Sequence, residues 1–229
     1  MTDSKLEAFA PGIWTVSMPL KLAGTEFGTL MTVVRVGDRG LVLIAPCPID
    51  DALDEEIRAL GRVEAVIAPN CFHYFFFLDA MKRFPEAVPF LAEGVKQKLD
   101  PAPAGARGLG EEPDAIWKAD LEQCRIAGAP KVNEVVFFHP ASRTLVLTDL
   151  CFNFNPAPRG WTGLFLRLAG AHGKLAVSRL MRSMLGDRTK VRAALDRISS
   201  WDFERIIVTH GANVEADAKR LFRAATADL

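Results

Sequence analysis

An apolar run, Val63 to Ala68, empties into Pro69–Asn70–Cys71–Phe72–His73–Tyr74 and then into the helical pattern of Leu78 to Phe84. This passage constrains the chain more than any other. A short apolar run reads as a buried strand, a Pro–Asn pair ends it, and apolar residues at helical spacing follow. Open α/β folds place their chemistry where a strand gives way to a loop and a helix. One of the four histidines and the only tyrosine sit in that loop. Tyr74 and Phe75 to Phe77 are expected to pack as core beneath the helix, as large aromatics do. Asn70 is expected to cap it.

The flanking chain supplies further elements. Ile13 to Pro19 alternates as a strand, and Leu30 to Val36 with Leu41 to Ala45 forms a hairpin about Gly37–Asp38–Arg39–Gly40. Asp50 to Leu60 reads as a helix capped by Asp50 or Asp51 and closed by Gly61. Val88 to Ala92 is a strand and Glu93 to Leu99 a short helix. Pro101 to Pro113, rich in proline and glycine, is a loop. Asn133 to Phe138 and Thr144 to Thr148 are buried strands joined by His139 to Arg143. Asn153 to Gly163 is irregular. Leu164 to Leu185 has apolar residues at helical spacing (Leu175, Val177, Leu180, Met181, Met184) and basic residues between them. The spacing is compatible with lying on a membrane surface, but a core-facing helix is the simpler reading. Arg188 to Ile198 and Ala216 to Ala225 are helices around the strand Ile206 to Thr209.

Early hairpins, central βα units and a late hairpin with further βα units do not make a doubly wound sheet. They fit two mixed sheets with helices outside, a four-layer αββα sandwich. At 229 residues the chain reads as one domain, 1–229. Basic and acidic residues number 28 each, so charge gives no argument for a nucleic-acid partner. No apolar run is long enough to span a bilayer, and the start, Met1 to Pro11, lacks an apolar leader core. Four cysteines without a CxxC pair fit reduced thiols in a cytoplasmic protein.

Three segments together resemble the metallo-β-lactamase superfamily. Val63 to Pro85 is similar to its strand, His-x-His-x-Asp-His loop and helix. Ala129 to Asp149 is similar to its Gly-His, hairpin and strand-terminal Asp. Ile206–Ile207–Val208–Thr209–His210–Gly211 is similar to its late strand ending in His-Gly. Ala68–Pro69–Asn70 with His73, Val135–Val136–Phe137–Phe138–His139 and Trp201–Asp202–Phe203 resemble a bacterial branch of unknown function at the degenerate edge of that superfamily.

The resemblance implies a metal site and also its erosion. With His73 on the last motif histidine, the motif's Asp falls on Phe72, its second His on Asn70 and its first on Ala68. With Asp149 as the bridging aspartate, the middle histidine falls on Pro130, and the early strand ends Ile44–Ala45–Pro46 without the family's aspartate. One metal site has then lost three imidazoles. The other keeps His73, Asp149 and His210, a set able to hold one divalent ion, zinc or iron, with open positions. The alternative is that no ion binds and the three bond to one another. Asn70, Cys71, Phe72, Tyr74 and Cys151 are the residues expected to line the same cleft, with Cys71 a nucleophile only if its pKa is lowered. His139, at the far end of its hairpin, and His172, in a loop, are not expected to be ligands. Two functions follow: a non-catalytic binder of a small molecule or partner, or a single-metal hydrolase using His73, Asp149 and His210.

Overall fold

The structure, a computed structural model, describes residues 5–22 and 24–229, with nothing of the side chain at 22. The reading of the amino-terminal residues as free of a leader falls partly on Met1 to Ser4, outside the described residues.

The first sheet has seven strands: β1 (Glu7–Ala10), β2 (Ile13–Met18), β3 (Thr29–Val36), β4 (Gly40–Ile44), β5 (Arg62–Ala68), β6 (Val88–Leu91) and β7 (Arg107–Gly108), hydrogen-bonded in that order. Pairing is antiparallel through β4 and parallel from β4 to β7, so the sheet is mixed as the hairpin-then-βα order requires. Between β4 and β5 runs helix α1 (Asp51–Leu60), capped by Asp50, whose side chain accepts from the Leu53 amide at 2.9 Å. Helix α2 (Phe77–Arg83) follows β5. Both helices pack on this sheet through Leu53, Ile57, Phe77 and Ala80.

The second sheet orders β8 (Glu122–Arg125), β9 (Val135–His139), β10 (Thr144–Leu147) and β11 (Arg205–Val208). Its alternation assigns the layers. Val135, Phe137, Val146 and Ile207 join the core shared with the first sheet, whereas Val136, Phe138, Leu145, Leu147, Ile206 and Val208 join a second core. Successive side chains of a strand point to opposite faces, so these strands are buried on both. The second core takes in helices α5 (Arg188–Ser200) and α6 (Ala218–Thr226) through Val191, Leu195, Ile198 and Phe222. The result is the expected αββα sandwich.

Several local expectations are corrected. Glu93 to Leu99 contains only a single 3₁₀ turn, Lys96–Lys98. The loop Pro101 to Pro113 contributes β7, which extends the sheet edge. The expected helix Leu164 to Leu185 is two helices, α3 (Gly160–Ala169) and α4 (Arg179–Met184), separated by the strand Leu175–Ala176. Gly170 ends α3 at φ 74°, a left-handed conformation that closes a helix. Leu175–Ala176 pairs with Phe152–Asn153 in a stretch expected to be irregular. Of the apolar residues expected on that helix, Leu175, Val177 and Met181 are buried but Leu180 is exposed. Among the loop aromatics only Phe77 is fully buried, and Phe75 is 72% exposed. Among the described residues no helix is long and apolar enough to cross a membrane.

Candidate metal centre

Strand topology brings three loops together. Strands β10 and β11 are parallel neighbours with Leu147 opposite Val208, so Asp149 and His210, each two residues further on, leave the sheet side by side. The loop after β5 is fastened to the start of β9 by two backbone bonds, Val135 N–H to the Pro69 carbonyl at 2.9 Å and Cys71 N–H to the Val132 carbonyl at 2.8 Å. That tie carries Asn70 and His73 from the first sheet to the edge of the second.

Asn70 is fully buried. Its Oδ1 accepts from the amides of Phe72 and His73, both at 2.8 Å, which folds the loop and fixes where His73 begins. Its Nδ2 donates to Asp149 Oδ2 at 2.7 Å and Thr148 Oγ1 at 2.9 Å. Asn70 therefore closes the loop turn and grips the carboxylate; it does not cap α2 as expected, because that helix starts only after Phe76, which makes no side-chain cap bond.

The Asp149 carboxylate meets one imidazole on each oxygen. His73 Nε2 lies 3.2 Å from Oδ2 and His210 Nε2 lies 3.4 Å from Oδ1. One donor atom from each of the three residues lies within 4.8 Å of the others, the one such group among the described residues. The side chains of His73, Asp149 and His210 are 11%, 13% and 9% exposed, so the group opens to solvent only narrowly. Burial alone would raise the Asp149 pKa, but the neighbouring His73 and His210 imidazoles outweigh it and hold the carboxyl well below the usual range.

The His210 tautomer bears on whether this group could hold a cation. Its Nδ1 lies 2.8 Å from the Gly28 carbonyl, an acceptor, so Nδ1 carries the proton. In the neutral ring Nε2 then presents a lone pair to Asp149 Oδ1, and two acceptors face each other. Either a second ring proton or a metal cation relieves that opposition. An imidazole that anchors its outer nitrogen on a carbonyl and offers the inner one is the usual arrangement of a metal-binding histidine. The donor set fits a single divalent ion on this ground. Phe27 and Phe152 stand edge-on to the His210 ring, with centroids 5.9 and 5.1 Å away. Gly211 follows at φ 99°, and a Cβ there would stand 2.2 Å from the Asn153 carbonyl oxygen.

Behind Asp149 lies a residue that sequence reasoning missed. Glu134 is 0% exposed, and its carboxylate accepts the amides of Thr148 at 2.8 Å, Asp149 at 3.0 Å and Leu150 at 2.7 Å. It clamps the turn from which Asp149 projects. Burial, and then the neighbouring Asp149 charge, push its pKa up to about 7. A cation at Asp149 would offset both acids.

The other residues expected to line the cleft make contacts of their own. Cys71 is buried with Sγ 3.3 Å from the Glu93 carbonyl, and Cys151 sits in the second core. Burial pushes both thiols up, and takes Cys47 to about 12, the reverse of what a nucleophile requires. Phe72 and Tyr74 flank Lys98, whose Nζ stands 5.5 and 5.4 Å from their ring centroids. His139 is buried against Ser142, its Nδ1 2.8 Å from Oγ, and His172 Nε2 is 3.2 Å from the Pro158 carbonyl.

No protein-family model matches the chain, and no curated protein matches it. Solved structures do. A metallo-β-lactamase from Pontibacter korlensis is 13% identical with a TM-score of 0.65, covering 96% of this chain and 95% of its own. The metallo-β-lactamase FIM-1 from Pseudomonas aeruginosa, in its mono-zinc form, is 12% identical with a TM-score of 0.65 over 98% and 95%. The metal-soaked Flv1 flavodiiron core from Synechocystis is 12% identical with a TM-score of 0.65, over 98% of this chain and 60% of that one. At such identities the likeness is one of fold, and the fold is that of the metallo-β-lactamases.

Proposed function

We propose that this metallo-β-lactamase-fold chain is a single-metal hydrolase, holding one divalent cation, zinc or iron, between His73, Asp149 and His210. The observation that carries the reading is the convergence of two imidazole Nε2 atoms on opposite oxygens of one buried carboxylate, with His210 anchored by its other nitrogen. A bound divalent ion supplies Lewis acidity and lowers the pKa of water. The chain's own groups hold the donors: Glu134 fixes the Asp149 turn, Asn70 orients both His73 and the carboxylate, and Gly28 sets the His210 tautomer.

A second ion has no place in this reading. Ala68 closes β5 with a methyl group, Pro130 offers no donor, and Asn70 commits its amide to Asp149 and Thr148. Phe72 supplies no carboxylate. The narrow exposure of the three donors favours one further reading, a protein that binds a small molecule there without turning it over.

Hydrolysis of p-nitrophenyl acetate and bis(p-nitrophenyl) phosphate separates the two. A hydrolase shows turnover that rises with metal up to about one equivalent and vanishes in His73→Ala. Metal binding with turnover of both probes no faster than in His73→Ala favours the binder.

A further inference from the structure

Four of the five large hydrophobic side chains that stand exposed among the described residues lie on α3 and α4: Trp161, Leu164, Leu168 and Leu180. Trp161, Leu164 and Leu168 recur at spacings of three and four, one face of α3, while Gly163 and Leu166 face inward. Leu180 is held beside them because the preceding Arg179 donates from Nη1 to the Leu168 carbonyl at 2.9 Å.

The charge around this face is one-sided. Between Asp149 and Asp187 the sequence has no acidic residue, yet it carries Arg159, Arg167, Lys174, Arg179 and Arg182, in a chain whose charges otherwise balance. Arg182 is engaged inward, on the Val177 and Ala225 carbonyls and near Asp228, which leaves Arg159, Arg167, Lys174 and Arg179 exposed around the face. Glu26, whose amide donates to Thr162 Oγ1, has its carboxylate paired with Lys21 at 3.1 Å. At the amino-terminal end of α3 a depression of about 370 Å³ is lined by Arg159, Gly160, Gly163, Leu164, Arg167 and His172.

We propose that α3 and α4 form a docking surface for an anionic lipid bilayer. Leucines at this exposure lose water by entering the acyl boundary, whereas tryptophan and arginine settle at headgroup depth. The cations add attraction to an anionic leaflet, and the depression between Arg159 and Arg167 has room for a headgroup phosphate. Both helices are already folded against the body of the protein, so no segment has to be ordered on contact. A second copy of this chain is the poorer occupant, because a twofold contact through this face sets the same cations against one another. The surface lies one aromatic layer from the metal centre: Phe27 touches Phe165 of α3 at 5.7 Å and His210 at 5.9 Å between centroids. A docked protein would present that centre near the membrane.

Co-sedimentation of the full chain with vesicles tests this. Vesicles of phosphatidylcholine with about one-third phosphatidylglycerol should pellet the protein roughly tenfold better than phosphatidylcholine alone, and raising salt to about 0.5 M should release most of it. Leu164→Ser with Leu168→Ser, and separately Arg159→Glu with Arg167→Glu, should each lower partitioning roughly tenfold. Melting curves that match the parent protein exclude unfolding as the cause, and single Leu168→Ser replaces a double variant that melts early. Parent protein that stays in the supernatant with anionic vesicles, as a surface for an acidic protein would, overturns the proposal. So does pelleting unchanged in both double variants.

Discussion

Glu134 Oε2 accepts the backbone N–H of Asp149 at 3.0 Å, so one buried acid holds the turn from which the other meets two imidazoles. Glu134→Gln is close to isosteric but turns one carboxylate oxygen into an amide NH2, a donor facing donors. Leaving a buried amide without its acceptor costs about 1–3 kcal/mol, and outer-shell changes of this kind weaken metal binding about 10–100-fold. Chemical denaturation and zinc competition with a chelator measure the two effects separately.

Asn70→Ala removes the acceptor shared by the Phe72 and His73 amides and the donor to Asp149. The expected cost is again about 1–3 kcal/mol in stability. His73 loses its fixed starting point, so zinc affinity should fall further than in a variant altered only in the remote turn at Gly37. Titration of both variants against the same chelator gives the comparison.

Gly211→Ala asks for a left-handed residue whose Cβ would sit 2.2 Å from a carbonyl oxygen. The loop must shift, and His210 with it. A loss of at least about 2 kcal/mol in unfolding free energy is expected. Weaker metal binding should accompany it.

The pH dependence of stability has a component remote from the candidate metal centre. Burial lowers the His139 pKa below its ordinary 6.5, against a smaller opposing effect of Asp120. The unfolded chain therefore takes up a proton at His139 before the folded one does. Stability from this group is present above the unfolded value and declines as pH falls through 6.5 toward the folded pKa. Unfolding curves at pH 7.5 and below should converge for the parent and His139→Gln as acidity rises.

Much of this was legible in the residues, for identifiable reasons. Val63 to Ala68 announces a buried parallel strand because it is apolar on both faces, and Asp50 announces a helix start because its side chain has one obvious use. The helix expected over Leu164 to Leu185 failed because apolar spacing runs on unbroken across Gly170 and Gly173, whereas both glycines adopt positive φ. Strand β8, Glu-Gln-Cys-Arg, escaped notice because polar residues dominate it. His73, Asp149 and His210 were traceable as residues that each follow a strand. Glu134 was not, because nothing in the expected strand Asn133 to Phe138 marks its one acid as a buried clamp. Its depth, and its three amide partners, exist only after folding.

The proposed activity stands on one ion held by His73, Asp149 and His210. Protein stripped of metal and titrated calorimetrically with zinc tests it most directly. About one equivalent should bind, and binding should be abolished in His73→Ala and in His210→Ala while both variants remain folded by circular dichroism. Uptake below about a tenth of an equivalent, or uptake that survives both substitutions, would contradict it.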